Sequence, residues 1–201
     1  MRSEHASNKE GRARSMHYGG NMATEKLLLL SGAIGSGKTA IAHELIRAFQ
    51  FVKIASGGYL ISLIPPDELK EGGERRRQLQ ELGDRLDEET SYRWIVDPVA
   101  VQALKGTPDV KNWLVDAVRK KRQVELFRER FGALIRHVHL TASEEVLRSR
   151  YAEKGGDYDA AIAHPNEVNA RSLENLADLV LDTSTAKAEL LAQQIWSTWG
   201  R

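Results

Sequence analysis

Hydrophobic and polar positions along the chain alternate between two periods. Lys26-Leu27-Leu28-Leu29-Leu30 is an almost unbroken apolar run, the pattern of a parallel strand covered on both faces. A glycine-rich segment follows. Thr39 to Phe49 then carries apolar residues at 41, 45, 46 and 49, one face of a helix. Phe51–Ala55, Asn112–Asp116, Leu134–Leu140 and Asp178–Asp182 predict further strands, and helices are expected near 118–131, 143–153, 166–176 and 185–199. Strands alternating with helices imply one three-layer α/β/α domain over 26–201, built on a five-stranded parallel sheet.

One stretch breaks this rhythm. From Pro66 to Lys105 the chain is polar and carries no strand signal, while Leu79, Leu82 and Leu86 keep a helical spacing. Pro98 kinks or restarts the helix there. Asp97 reads as a helix N-cap. The region 56–108 is thus expected to be a helical insertion between two core strands. Residues 1–25 have no apolar period and read as a disordered leader, with Met22 standing just before the first strand.

Composition narrows the function classes. The 29 basic and 28 acidic residues nearly cancel, so no broad field favours nucleic acid or a membrane surface, although a local basic pocket remains open. The chain has no cysteine, which removes disulfides and thiolate zinc sites. No apolar run reaches the roughly 20 residues that span a bilayer, and no secretory h-region is visible. A cytoplasmic protein, monomeric or homodimeric, is expected.

The glycine-rich segment carries the chemistry. Gly32-Ala33-Ile34-Gly35-Ser36-Gly37-Lys38-Thr39 fits G-x-x-x-x-G-K-[ST], and it lies between a predicted strand and a predicted helix. That context makes the phosphate-binding loop of nucleoside-triphosphate proteins. Backbone N–H groups from Gly32 to Ala40 converge with the helix N-terminus on polyphosphate oxygens. Lys38 would reach the β- and γ-phosphates, and the Thr39 hydroxyl would ligate Mg²⁺. ATP and Mg²⁺ are the cofactors implied. Asp116, ending an apolar strand, would lie at the carboxyl edge of the sheet as a second metal ligand. Asp97 is the competing candidate.

Other segments carry a resemblance. Asp116-Ala117-Val118-Arg119 with Gln123 resembles the strand-to-helix element of nucleoside monophosphate kinases, a family in which an Arg binds the acceptor phosphate and a Gln reads the base. Ser56-Gly57-Gly58-Tyr59-Leu60 resembles the segment opening that family's acceptor-binding helices. Leu147-Arg148-Ser149-Arg150-Tyr151 and Lys154 resemble the helix carrying cationic lid residues. Ala177 to Asp182 resembles the last strand, before a loop near the donor base. The resemblance runs from Lys26 to the end of the chain and is nearest to short-lid, deoxynucleotide-kinase-like members, with 154–171 as the lid. It implies an ATP-dependent nucleotide kinase with a small-molecule nucleotide acceptor. Arg119 would hold the acceptor phosphate, with Gln123, Ser56 and Gly57 nearby. Arg150 and Arg171 would cover the transferring group.

Phosphoryl transfer between two anions needs charge neutralisation more than a strong base, which suits arginine forks. Arg75-Arg76-Arg77 reads mainly as a solvated face, with Arg77 taken as the one reaching the acceptor. A hydroxyl acceptor would instead need a carboxylate base, a part Asp116 could play. A nucleotide-binding regulatory module is the rival from another class. His137 and His139, alternating on a strand, are expected to pack rather than to bind metal, and His164-Pro165-Asn166 to turn and start a helix in the lid.

Overall fold

Four consecutive leucines place β1 (Lys26–Gly32) at the centre of the sheet, because a strand apolar on both faces needs cover on both. In the computed structural model, which describes residues 24–116, 118–153, 155 and 157–199, five parallel strands lie in the order β2-β3-β1-β4-β5. The others are β2 (Phe51–Lys53), β3 (Asn112–Val115), β4 (Ile135–Thr141) and β5 (Leu179–Asp182). The helices, in chain order, are α1 (Lys38–Phe49), α2 (Ser56–Ser62), α3 (Gly72–Glu89), α4 (Gln102–Gly106), α5 (Lys121–Phe131), α6 (Glu144–Ala152), α7 (Tyr158–Ile162), α8 (Pro165–Ser172) and α9 (Ala188–Ser197). The leader expected over 1–25 lies almost wholly outside the described residues, as does Lys154.

Alternation along β1 divides the interior in two. Leu28 and Leu30 enter a core made with Ile41 and Leu45 of α1 and Leu191 and Ile195 of α9. Leu27 and Leu29 enter the other, with Trp94, Leu104, Trp113 and Phe127. The sheet is therefore covered on both faces, the three-layer α/β/α arrangement expected from the sequence. β1 lies between β3 and β4, and the chain reaches those neighbours on opposite sides of it. The crevice beyond the carboxyl ends of such strands is where ligands bind in open parallel sheets. No helix among the described residues is long and apolar enough to cross a membrane.

Between β2 and β3 the chain is helical, as its pattern predicts. Leu82 of α3 is buried, and Leu79 and Leu86 pack on the same core. Asp97 and Pro98 differ from expectation. Both lie inside a π-helical turn, Val96–Val101, whose widened spacing accommodates a residue without an N–H. Asp97 caps no helix; its carboxylate lies 3.8 Å from Nε of Arg130.

The helix expected from residue 118 starts only at Lys121. The Gln123 side-chain oxygen accepts the backbone N–H groups of Arg119 and Lys120 at 3.0 and 3.2 Å, and Lys120 is extended. The helix expected over 166–176 is α8 followed by a tighter 3₁₀ turn, Leu173–Leu176. Ring Nδ1 of His164 accepts the N–H of Asn166 and Pro165 fills the first helical position, so these residues start a helix as expected.

Lys120 ties the insertion to the segment between β3 and α5. Its ammonium donates to Asp87 at 2.7 Å and Asp84 at 3.0 Å, both on α3. The other Asp87 oxygen accepts Nε1 of Trp94 at 2.7 Å, so a carboxylate only 4 % exposed keeps two partners.

Candidate active site

Steric demand shapes the loop after β1. Gly32, at φ 140°, lies beside Leu140 of β4, and a Cβ there would come within 2.4 Å of the Leu140 carbonyl oxygen. At Gly35, φ 80°, a Cβ would meet the Leu147 carbonyl of α6 at 2.7 Å. Gly37, φ 81°, precedes α1 and offers no side-chain cap. The first N–H groups of α1 therefore remain directed at whatever occupies the loop, a ready anion site. Nζ of Lys38 folds over this loop and donates to the carbonyls of Gly32 at 2.6 Å and Ala33 at 2.8 Å. Thr39 and Ala40 are exposed in the first turn of α1.

Beneath the loop lies a buried polar chain. Oγ of Ser31 contacts Nε2 of His137 at 2.7 Å and Nδ1 of His139 at 2.9 Å. Nδ1 of His137 contacts the carbonyl of Leu176 at 3.3 Å, which can only accept and so sets the direction. His137 donates to Leu176 and accepts from Ser31, while Ser31 accepts from His139. Burial pushes His137 down to about 4, and lowers His139 too. Both histidines pack, as their strand alternation predicts, and neither belongs to a metal cluster among the described residues.

A cavity of about 660 Å³ opens over the loop. Ala186, Ala188 and Leu191 line an apolar part of it, and Arg76, Arg119 and Arg150 bring cations from α3, the segment after β3, and α6. NH1 and NH2 of Arg150 donate to the Thr183 hydroxyl at 2.9 Å and the Thr183 carbonyl at 2.8 Å, which seats Arg150 beside the loop. A second cavity of about 420 Å³, bordered by Gln80, Asp84 and His164, shares Arg76 with the first.

Several expected residues lie elsewhere. Arg77 borders only the second cavity; its neighbour Arg76 reaches both, because consecutive helical residues point about 100° apart. Arg171 lies away from the loop cavity and is held within the lid by Glu144, at 3.1 Å, and the Tyr158 hydroxyl, at 2.8 Å. These partners draw the Glu144 carboxyl below its usual range. Ser56 and Gly57 open α2 but line neither cavity. The side-chain oxygen of Gln123 is occupied in capping α5.

Asp116 is paired with Nζ of Lys53 at 2.6 Å and does not line the loop cavity. Mg²⁺ usually arrives on phosphates and needs few protein ligands. The exposed Thr39 hydroxyl fits that need, whereas Asp116 would have to leave Lys53.

Sequence reasoning missed Glu167. This residue of α8 is 7 % exposed; its Oε2 accepts the N–H of Ile34 in the loop at 2.8 Å, and its Oε1 lies 3.4 Å from NH1 of Arg119. Only the helix start at His164-Pro165-Asn166 was visible, and nothing in the spacing of the lid places its carboxylate on the loop. Thr183, whose hydroxyl donates to the Ser36 carbonyl at 3.3 Å, was missed for the same reason.

A five-stranded parallel sheet, a glycine loop with its lysine, and arginines gathered over that loop define a P-loop protein. A family model described as an AAA domain matches residues 28–185, and the chain belongs to that family. The comparison with curated proteins finds no match. Among solved structures, an APS kinase from Mycobacterium tuberculosis, in complex with AMPPNP and APS, is similar at 16% identity. It covers 89% of this chain and 99% of its own, with a TM-score of 0.54. An uncharacterised protein from Eubacterium ventriosum aligns at 10% identity over 87% of this chain and 98% of its own, with a TM-score of 0.51. A shikimate kinase from Acinetobacter baumannii, in complex with shikimate, aligns at 16% identity over 87% and 92%, with a TM-score of 0.47. At these identities the likeness is one of fold.

Proposed function

We propose that the protein is an ATP-dependent phosphotransferase that moves the γ-phosphate of Mg·ATP onto a small anionic acceptor, a nucleoside monophosphate. The observation that carries this reading is the convergence of Arg76 and Arg119 on the loop cavity from elements that do not build the loop. The loop amides and Lys38 suffice for donor phosphates; two further guanidinium groups suit a second phosphate. The donor base lies against Ala186, Ala188 and Leu191. Thr39 holds the metal, with Asp116 as a further ligand once Lys53 releases it. Arg150 neutralises charge on the moving group, and the segment 154–171 closes over the site to exclude water. Arg171 acts by stiffening that segment. The helices of 56–108 form the acceptor side, where Arg77 borders the adjoining cavity. Ser56, Gly57 and Gln123 shape that side without touching the loop cavity.

Phosphoryl transfer from ATP, measured against nucleosides and their monophosphates, tests the proposal. Transfer to at least one monophosphate is expected. The carboxylate of Glu167 on the loop favours a second reading, a hydroxyl acceptor, and transfer confined to nucleosides or other alcohols would select it. Slow ATP hydrolysis indifferent to every acceptor would point to a nucleotide-binding regulatory module instead.

A further inference from the structure

Glu167 sits in surroundings suited to a different anion. Its partners are a backbone N–H of a phosphate-binding loop and a guanidinium, the two donor types that phosphoryl oxygens seek. Its side chain is only 9 % exposed, whereas that of Arg119 is 45 % exposed. The carboxylate is therefore enclosed against the loop, while its cation remains open to incoming ligand. The helix that carries it is docked on the insertion as well. A ring nitrogen of His164 lies 2.8 Å from the Gln80 amide, and Nδ2 of Asn166 lies 3.5 Å from Asp84. Three neighbouring residues, His164, Asn166 and Glu167, thus fasten one short segment to α3 on one side and to the loop on the other.

We infer that Glu167 is an internal stand-in for a phosphoryl group: it holds the Ile34 N–H and Arg119 until a polyphosphate displaces it, and so sets the affinity of the site for phosphates. The inference rests on the reading of this cavity as a phosphotransferase site. When ligands enter, the Ile34 N–H passes from the carboxylate to a donor phosphate and Arg119 passes from it to the acceptor phosphate, and the displaced charge repels the donor until the segment moves away. A ligand of higher charge outcompetes the carboxylate more readily than one of lower charge, which selects polyphosphates over small monoanions. No covalent bond is made or broken in this exchange.

The test reads a gain, which structural damage would not produce. Glu167→Gln keeps the shape and one neutral hydrogen bond while removing the charge. It should bind Mg·ATP roughly three- to tenfold more tightly than the natural chain, the ratio expected when one charge-assisted bond becomes a neutral one. Raising the salt concentration should shrink this gap. Glu167→Asp, which keeps the charge, should stay near the natural affinity. In the unaltered protein, inorganic tripolyphosphate should speed amide hydrogen exchange across residues 158–172, since the segment loses its hold on Ile34. Equal or weaker Mg·ATP binding by Glu167→Gln, or exchange that slows or stays constant with tripolyphosphate, overturns the inference. So does a fall in turnover beyond about a hundredfold at unchanged nucleotide affinity, which would make Glu167 a proton acceptor. Failure of the functional reading looks different: tighter binding by the variant would persist while no monophosphate is phosphorylated.

Discussion

The glycine loop and the cationic wall opposite it bind the same kind of charge by different means. The loop is backbone. Its shape follows from eight consecutive residues, and neighbouring carbonyls of Leu140 and Leu147 enforce it by leaving no room for a Cβ at Gly32 or Gly35. The wall is side chain. Arg76, Arg119, Arg150 and Glu167 come from four separate segments, which only the packing of the fold brings together. A backbone site is as rigid as the sheet that feeds it. A side-chain site is as rigid as the helices that carry it, and here those helices are fastened by ion pairs and a few hydrogen bonds.

Removing the one side chain on which the loop depends should give the largest effect. Lys38→Ala is expected to lower phosphoryl transfer by about a thousandfold, near 4 kcal/mol of barrier. Circular dichroism should hardly change, because the glycine geometry does not need the ammonium. Turnover within tenfold of the natural protein would show that the wall, and not the loop, supplies the decisive charge.

This contrast also explains what could be read in advance. The loop, the order of strands and helices, and the helical insertion were legible because each is local: consecutive residues, a period, a turn signal. Strand ends moved by a residue or two, and the start of α5 moved by three, where Gln123 accepts the backbone N–H groups of Arg119 and Lys120. Arg119 and Arg150 were named in advance and do border the loop cavity. Three successive arginines do not reveal how α3 is rotated, so the sequence does not show that Arg76, and not Arg77, borders the loop cavity. Arg171 carries the same charge as Arg150, yet Glu144 and Tyr158 hold it inside the lid, and those partners are tertiary. Glu167 had no sequence signal at all, since its meaning comes from the packing of α8 against a loop more than a hundred residues earlier.

The anchoring of the wall can be broken separately. Asp87→Ala would strip both Lys120 and Trp94 of a buried partner. Breaking a buried pair from one side costs about 3–5 kcal/mol, and the side chain of Lys120 is only 17 % exposed. Denaturant unfolding should show a loss of that order. Acceptor kinetics should deteriorate more than nucleotide affinity, because Lys120 adjoins Arg119. A loss under about 1 kcal/mol would mean that the Asp87 pairings add little to the other contacts that hold the insertion.

Support beneath the loop should respond to acid. His137 is neutral in the fold, pushed down from 6.5 to about 4 chiefly by burial, and it charges at ordinary acidity once unfolded. Its contribution is complete above about pH 6.5, declines as pH falls toward 4, and levels off below, where both states are protonated. The decline amounts to about 2–3 kcal/mol between neutrality and pH 4.5. Carboxylates also titrate in this window, so the informative quantity is the difference between the natural chain and His137→Gln. Unfolding free energies measured at pH 7.5 and 4.5 should converge for the two proteins at the lower value. Parallel curves would show that Ser31 and Leu176 do not hold a neutral ring there.

The finest test separates charge from geometry on the wall. Arg119→Lys keeps a cation after β3 and removes the planar fork. A fork aimed at an acceptor phosphate makes two directed bonds that an ammonium replaces with one mobile contact. Catalytic efficiency toward the monophosphate should fall by about ten- to a hundredfold, roughly 1.4–2.7 kcal/mol. Mg·ATP affinity should change little, since the loop amides are untouched and the weakened hold on Glu167 works, if anything, in favour of the donor. Isothermal titration with Mg·ATP, beside steady-state kinetics with varied acceptor, distinguishes the two sides. Should nucleotide affinity collapse while acceptor kinetics hold, Arg119 belongs with the loop, and the division of this site into a backbone donor half and a side-chain acceptor half fails at the residue on which it most depends.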